Sequence, residues 1–165
     1  MFSVVAVADR WAIGRNNDLL ISLPPDMKRF RALTTGKAVI MGRSTLLSLP
    51  NSRPLPKRRN YVLSRDLSFS VEGATMLRSE AEAAEVIGEY NSSDPDGIVC
   101  MGGEAIYRLL LPYTDYVQVT RIYRDFPDAD RYFPDLDSLG WVCEPQGDEE
   151  EFEGTRFRYF LYKRP

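Results

Sequence analysis

The chain is expected to fold as an α/β protein with a mixed, mainly parallel sheet covered on both faces. Three features of the sequence predict this. Short runs rich in β-branched and aromatic residues alternate with stretches of helical periodicity. Most of the helical stretches follow a strand directly, as crossovers between parallel neighbours do. Two strand-like runs close the chain with no helix between them, which suits an antiparallel edge.

The elements can be justified in order. A strand at 2–8 opens the chain, and a loop runs to Leu23. Pro24 and Pro25 suit the first turn of a helix; Asp26, Phe30 and Leu33 then share one face at i, i+4 and i+7, with Lys28, Arg29 and Arg31 pointing elsewhere. A strand at 38–41 turns at Gly42 into a short helix ending near Leu49. Beyond Arg53-Pro54-Leu55-Pro56 come strands at 60–64 and 74–77, and Ser79 with Glu82 forms a capping box for the next helix. A strand at 98–101, a helix at 104–111 stopped by Pro112, and a strand at 116–123 follow. The last strands, 141–144 and 157–163, flank Asp148-Glu149-Glu150-Glu151, expected as a solvated hairpin tip.

A length of 165 residues at 44% hydrophobic composition supplies one full core and little for a second, so a single domain over 1–165 is expected. With 21 basic against 24 acidic side chains there is no basic stripe of the kind that nucleic acid requires. The apolar N-terminus meets Asp9 and Arg10 too early for a signal or spanning helix, which points to a cytoplasmic protein with no membrane partner. Cys100 and Cys143 lie in apolar strand-like runs and each reads as a buried free thiol, although a disulfide between them is compatible with the sequence. The absence of histidine eliminates Ser-His-Asp and Cys-His nucleophiles and His-ligated zinc, and no metal is expected. Proton chemistry is left to carboxylates, tyrosines, lysines and water.

Asp26 is the leading candidate for that chemistry, because a carboxylate on the apolar face of a helix needs a polar partner and a polar ligand could be that partner. A helix-start acid that merely complements the dipole is the alternative. Two strand-to-helix junctions look suited to phosphate. In Gly42-Arg43-Ser44-Thr45, backbone N–H groups and a guanidinium converge; Met101-Gly102-Gly103-Glu104 repeats the strand, glycine, helix arrangement. Either glycine junction alone is also ordinary turn chemistry. Leu63-Ser64-Arg65 adds a second guanidinium, and Arg43 with Arg65 would suit the 2′-phosphate of NADPH where an acid would suit NADH. Neither G-x-G-x-x-G nor G-x-x-x-x-G-K-[ST] occurs.

Taken in order, Ala12-Ile13-Gly14, Leu23-Pro24-x-Asp26, Val39-Ile40-Met41-Gly42-Arg43-x-Thr45, Arg53-Pro54-Leu55-Pro56-x-Arg58-x-Asn60, Met101-Gly102-Gly103 with Ile106-Tyr107, and Asp130-x-Tyr132-Phe133-Pro134 resemble the dihydrofolate reductase family along most of the chain. The resemblance implies an eight-stranded sheet flanked by four helices, NADPH as cofactor, 7,8-dihydrofolate as substrate, antifolate inhibitors as ligands and a monomer. It implies hydride transfer to pterin C6 and proton transfer to N5. Asp26 would accept hydrogen bonds from the pterin 2-amino group and N3, supported by Thr120, which could equally be a plain β-branched strand residue. Val4, Ala6, Met27, Phe30, Leu49 and Leu55 would line the substrate pocket with Met101 and Tyr107. Arg58 would hold the glutamate α-carboxylate, with Arg31 and Arg53 near it.

On the cofactor side the resemblance places Arg43, Ser44, Ser64 and Arg65 at the adenosine, Thr45, Gly103 and Glu104 at the pyrophosphate, and Ala6, Ile13 and Tyr107 around the nicotinamide. Gly14, Gly42, Leu63, Met101, Gly102, Ala105 and Ile106 complete that lining. Residues 14–23 would be a mobile loop with Leu19 as a cap and Asp130 as a latch. The chain departs from the family at Ile21, where tryptophan is usual, and at Leu20, where proline is usual. Isoleucine cannot hold the water that the indole N–H holds. Three consequences are open: reduced turnover or altered antifolate response, a different heterocycle as substrate, or replacement of the lost bond by Ser22 and water. Rival readings are a same-fold reductase of the riboflavin pathway and a noncatalytic pteridine- or nucleotide-binding module.

Overall fold

The computed structural model describes residues 1–165. The first half of the chain runs β1 (Phe2–Val7), β2 (Ala12–Arg15), β3 (Asp18–Leu19), α1 (Pro24–Thr34), β4 (Ala38–Gly42), α2 (Arg43–Ser48), β5 (Arg59–Leu63) and β6 (Ala74–Leu77). The second half runs α3 (Glu80–Ser93), β7 (Ile98–Cys100), α4 (Glu104–Leu110), β8 (Tyr116–Ile122), β9 (Arg131–Tyr132), β10 (Val142–Pro145), β11 (Glu150–Phe152) and β12 (Thr155–Lys163). No helix is long and apolar enough to cross a membrane.

Eight strands make the main sheet in the order β10-β12-β8-β1-β7-β4-β5-β6, with β11 added beside β12. Every pairing from β8 to β6 is parallel, while β12 pairs antiparallel with β8, β10 and β11. The α/β class, the mixed sheet and the four helices are therefore as the sequence predicts. The reason is visible in β4, whose five residues are all buried: a central parallel strand is covered on both faces and needs an unbroken apolar run. On one face Ile40, Ile98 and Cys100 pack with Ala83 and Ile87 of α3 and Tyr107 and Leu110 of α4. On the other face Phe2, Val39, Met41, Val62 and Val99 pack with Leu46 of α2. Removing such a side chain costs about 2–5 kcal/mol when Leu, Ile or Met becomes Ala.

Four expectations need correction. The stretch from Ala12 to Leu19 is not simply loop: β2 forms a small sheet with β3 and β9, elements of two to four residues whose pairing no local periodicity reveals. The acidic run is not the hairpin tip. Glu150 and Glu151 belong to β11, and the turn is Glu153-Gly154, whose φ values of +46° and +83° match the twist of a two-residue hairpin. Cys143 is exposed, because β10 is the outer strand of the sheet, whereas Cys100 is buried and its thiol is pushed up to about 11 by burial; both are free. At α3, Ser79 Oγ accepts the Glu82 N–H at 3.1 Å as expected, but the Glu82 carboxylate accepts from the N–H of Arg78 rather than of Ser79.

Candidate active site

The carboxyl ends of β1, β4 and β5, together with α1, α2, α4 and the β2–β3 hairpin, enclose a cavity of about 730 Å³. Its position follows from the topology. Parallel strands deliver their carboxyl ends to one edge, and the turns into the following helices leave a crevice there. Val4, Val5 and Ala6 of β1 and Met27 and Phe30 of α1 contribute to its lining, with Leu23, Leu49 and Ile122 adding apolar surface.

Asp26 lies in this lining. Thr120 Oγ1 donates to Asp26 Oδ1 at 2.5 Å, across 94 positions of sequence. The strand register explains the meeting: Thr120 of β8 is opposite Ala6 of β1 on one side and Tyr159 of β12 on the other. Burial raises the Asp26 carboxyl above its ordinary 3.8, opposed by the Thr120 hydrogen bond and then by the Arg29 guanidinium. Arg29 does not simply point into solvent as the helical wheel suggests. Its guanidinium lies 4.0 Å from the Tyr159 ring centroid and donates to Gln118 Oε1 at 3.1 Å. Sequence reasoning missed this cation, because an i, i+3 spacing from Asp26 says nothing about the strands beneath the helix.

The two glycine junctions meet each other. Gly42 N–H donates to Gly102 O at 2.8 Å, and Met101 N–H donates to Ile40 O at 3.0 Å. A Cβ on Gly42 would lie 2.9 Å from Ile106 Cγ1, and one on Gly102, at φ +98°, would lie 2.5 Å from the Tyr107 ring. Only glycine fits at either place. Tyr107 is buried and donates to Val4 O at 2.6 Å, which ties α4 to β1. Glu104, placed near the pyrophosphate by resemblance, accepts the Tyr132 N–H at 2.8 Å and so braces β9.

Ile13, Gly14, Gly42, Arg43, Ser44, Thr45, Leu63, Met101, Gly103, Glu104, Ala105, Ile106 and Tyr107 all border the cavity. Leu19 is 58% exposed at its mouth. The Asp130 carboxylate accepts the Asn16 N–H at 3.1 Å, and Arg15 pairs with Asp128 at 2.9 Å, so the hairpin is held to the segment before β9. Ile21 borders the cavity and packs against both Ala6 and Tyr132 clusters, while Ser22 is exposed and outside the lining. Ser22 is therefore not positioned to replace a lost hydrogen bond.

Several expected site residues lie outside the cavity wall: Arg31, Arg53, Leu55, Arg58, Ser64, Arg65, Gly102 and Thr120, the last of which touches the wall only through its bond to Asp26. Leu55 packs with the Leu46 cluster. Arg58 donates from Nε to Pro56 O at 2.8 Å and from Nη1 to Thr34 Oγ1 at 3.0 Å, and burial, then nearby Arg31, lowers its pKa. Buried Asn60 holds this turn through bonds of 2.9–3.0 Å with Leu55 and Arg58 backbone groups, a supporting role for the asparagine of the Pro-rich motif. Arg43 is engaged by Asp66 at 2.8 Å. The lining also includes Leu20, where the family usually has proline, and Arg15, Asn17, Asp18, Ser48, Pro50 and Arg131, which carry no motif that marks them.

Fold and cavity together define an α/β protein with a cavity of small-molecule size at the carboxyl edge of parallel strands, lined by the acid Asp26. A family model described as dihydrofolate reductase matches residues 1–164. Similar proteins include the dihydrofolate reductases of Mycobacterium leprae, 39% identical over 92% of this chain and 90% of that protein, and of Haemophilus influenzae, 37% identical over 93% of each. That of Bacillus subtilis is 32% identical over 92% of this chain and 87% of its own length. The chain belongs to the dihydrofolate reductase family and is an enzyme of that type.

Proposed function

We propose that this chain reduces 7,8-dihydrofolate to 5,6,7,8-tetrahydrofolate with NADPH as reductant. The carrying observation is Asp26, which lines the cavity of a dihydrofolate reductase-family fold and accepts a hydrogen bond from Thr120. Thr120 occupies one carboxylate oxygen and leaves Oδ2 free to accept from the 2-amino group and N3 of a pterin. Asp26 thereby orients the ring and favours a proton at N5, which water delivers without an indole N–H to hold it in place.

The residues present fit a nicotinamide nucleotide: a cavity of about 730 Å³ has the size of a cofactor and substrate site, and its wall is bare backbone at Gly42 and Gly103 with the Arg43 cation beside them. When bound, the reduced nicotinamide supplies the hydride for pterin C6. Ala6, Ile13 and Tyr107 would border the nicotinamide and Thr45 with Gly103 the pyrophosphate. Val4, Met27, Phe30 and Leu49 hold the substrate rings, and Arg58, whose Nη2 makes no hydrogen bond, takes the tail carboxylate with Arg31 and Arg53 nearby. The hairpin bearing Leu19 excludes water when it closes, latched by Asp130. A single domain acting as a cytoplasmic monomer, inhibited by antifolates that compete for Asp26, completes the reading.

The test is NADPH consumption with and without 7,8-dihydrofolate, repeated with NADH. Substrate-dependent oxidation supports the reading. Tight binding of both ligands without oxidation would assign a noncatalytic module, and oxidation only with a ribosylaminopyrimidine would assign the riboflavin-pathway chemistry.

A further inference from the structure

Arg43, which borders the cavity, is paired just outside the wall with a carboxylate that the cofactor reading leaves unused. Asp66 Oδ2 lies 2.8 Å from Arg43 Nη1, and the Arg43 guanidinium lies 4.5 Å from the centroid of the Phe69 ring. The other oxygen, Oδ1, accepts the Ser68 N–H at 3.0 Å and the Ser68 hydroxyl at 2.6 Å. Asp66 N–H donates to Ser64 Oγ at 3.3 Å, and Asp66 O accepts from Arg78 Nη1 at 2.6 Å. The acid is thus fixed by neighbours on every polar atom. Ser68 first, and Arg43 after it, hold its carboxyl below the usual 3.8, so it is ionised at neutral pH.

We propose that Asp66 is a specificity-determining residue: it competes with the 2′-phosphate of a dinucleotide for Arg43 and so narrows the preference for 2′-phosphorylated over 2′-hydroxyl cofactors. The inference rests on the nicotinamide-nucleotide reading above. An acid beside the ribose accepts a hydrogen bond from a 2′-hydroxyl, whereas an arginine suits a 2′-phosphate. Here one of each is already paired, next to Ser64, which the same reading places at the adenosine. A phosphate that takes Arg43 either displaces the carboxylate from Nη1 or uses the other N–H groups beside it, and in both cases sits anion beside anion. A hydroxyl can bond to Asp66 with the pair intact. Arg65, exposed and in no ion pair, supplies the cation that keeps some preference for phosphate. Side-chain exposures of 46% for Arg43 and 42% for Asp66 mean that water screens the competition, so the effect is graded rather than absolute.

The experiment is calorimetric titration of the full chain with adenosine 2′,5′-bisphosphate and with 5′-ADP, alongside KM for NADPH and NADH. Asp66→Asn keeps an acceptor for Ser68 and nearly the same volume while removing the charge. It should tighten the 2′-phosphorylated ligand about three- to tenfold and move 5′-ADP by less than about twofold. Adding Arg43→Gln should erase the gain, because the two residues act through one contact. An unchanged ratio overturns the proposal. So does weaker binding of the 2′-phosphorylated ligand, which would make Asp66 a positioning residue that presents Arg43. Circular dichroism establishes folding, and Asp66→Ser gives the same comparison should the first variant not fold. If the unaltered chain binds neither the bisphosphate nor NADPH, the nucleotide reading fails and this inference with it. If it binds them and only the ratio fails to move, the assignment of Asp66 alone falls.

Discussion

Around Asp26 a single carboxylate sits inside the protein and is met by one neutral hydroxyl, whereas around Arg43 opposite charges meet each other in water. The first arrangement leaves an acid raised above its ordinary value by burial; the second leaves an acid lowered by its hydrogen bonds. Burial strengthens whatever Asp26 touches, because little solvent screens it. Exposure weakens the Arg43–Asp66 contact, because salt and water compete for both partners. Under the proposed function, the substrate side would act strongly on one group, and the adenosine side would bias a choice between similar ligands.

The comparison predicts effects of unequal size. The largest is on turnover: Asp26→Asn should lower kcat at neutral pH by about two orders of magnitude or more, with partial recovery as pH falls and the substrate arrives protonated. Steady-state NADPH oxidation measures it, and unchanged turnover would remove Asp26 from the mechanism. Next, Thr120→Val deletes the hydrogen bond that favours the ionised form, so the Asp26 pKa should rise further, visible as an upward shift of its carboxyl carbon titration by NMR. A pKa that stays put would mean the hydroxyl is not bonded to the acid in solution.

Stability should move the other way from activity. With the folded pKa above 3.8, ionised Asp26 costs stability at pH values above the raised pKa, and that cost fades as pH falls through it toward 3.8. Asp26→Asn should therefore raise Tm at pH 7, at about 2–4 °C per kcal/mol in a domain of this size, and the gain should vanish in acid. Thermal melts at several pH values check the sign. The smallest effect belongs to the exposed pair: raising ionic strength from about 0.05 to about 0.5 M should reduce the preference for the 2′-phosphorylated nucleotide about threefold while leaving the Asp26 titration nearly unmoved. Equal sensitivity of both regions to salt would erase the distinction between them.

What could be read before the structure depended on how local its cause is. The strands of the main sheet announce themselves as apolar runs, and α1 by Pro24 and Pro25, because each answers to burial or to φ within a few residues. Asp26 stands out because an acid on an apolar face is costly wherever the chain goes next. The β2–β3–β9 sheet was not legible, since pairs as brief as Asp18–Leu19 have no period to detect. Cys143 looked buried from its neighbours, and only its place on the outermost strand exposes it.

The amino-acid order by itself determined the α/β class, the order of the main strands and four helices, the glycines at the two junctions and the one acid worth testing, because those depend on patterning and short-range sterics. Only tertiary structure decided which groups meet. Thr120 reaches Asp26 through the register of β8 beside β1, Arg29 of α1 reaches Tyr159 of β12, and Asp66 takes Arg43 where the end of β5 comes alongside α2. Contacts between residues far apart in sequence are set by strand register and packing, and no window of neighbouring residues contains that information.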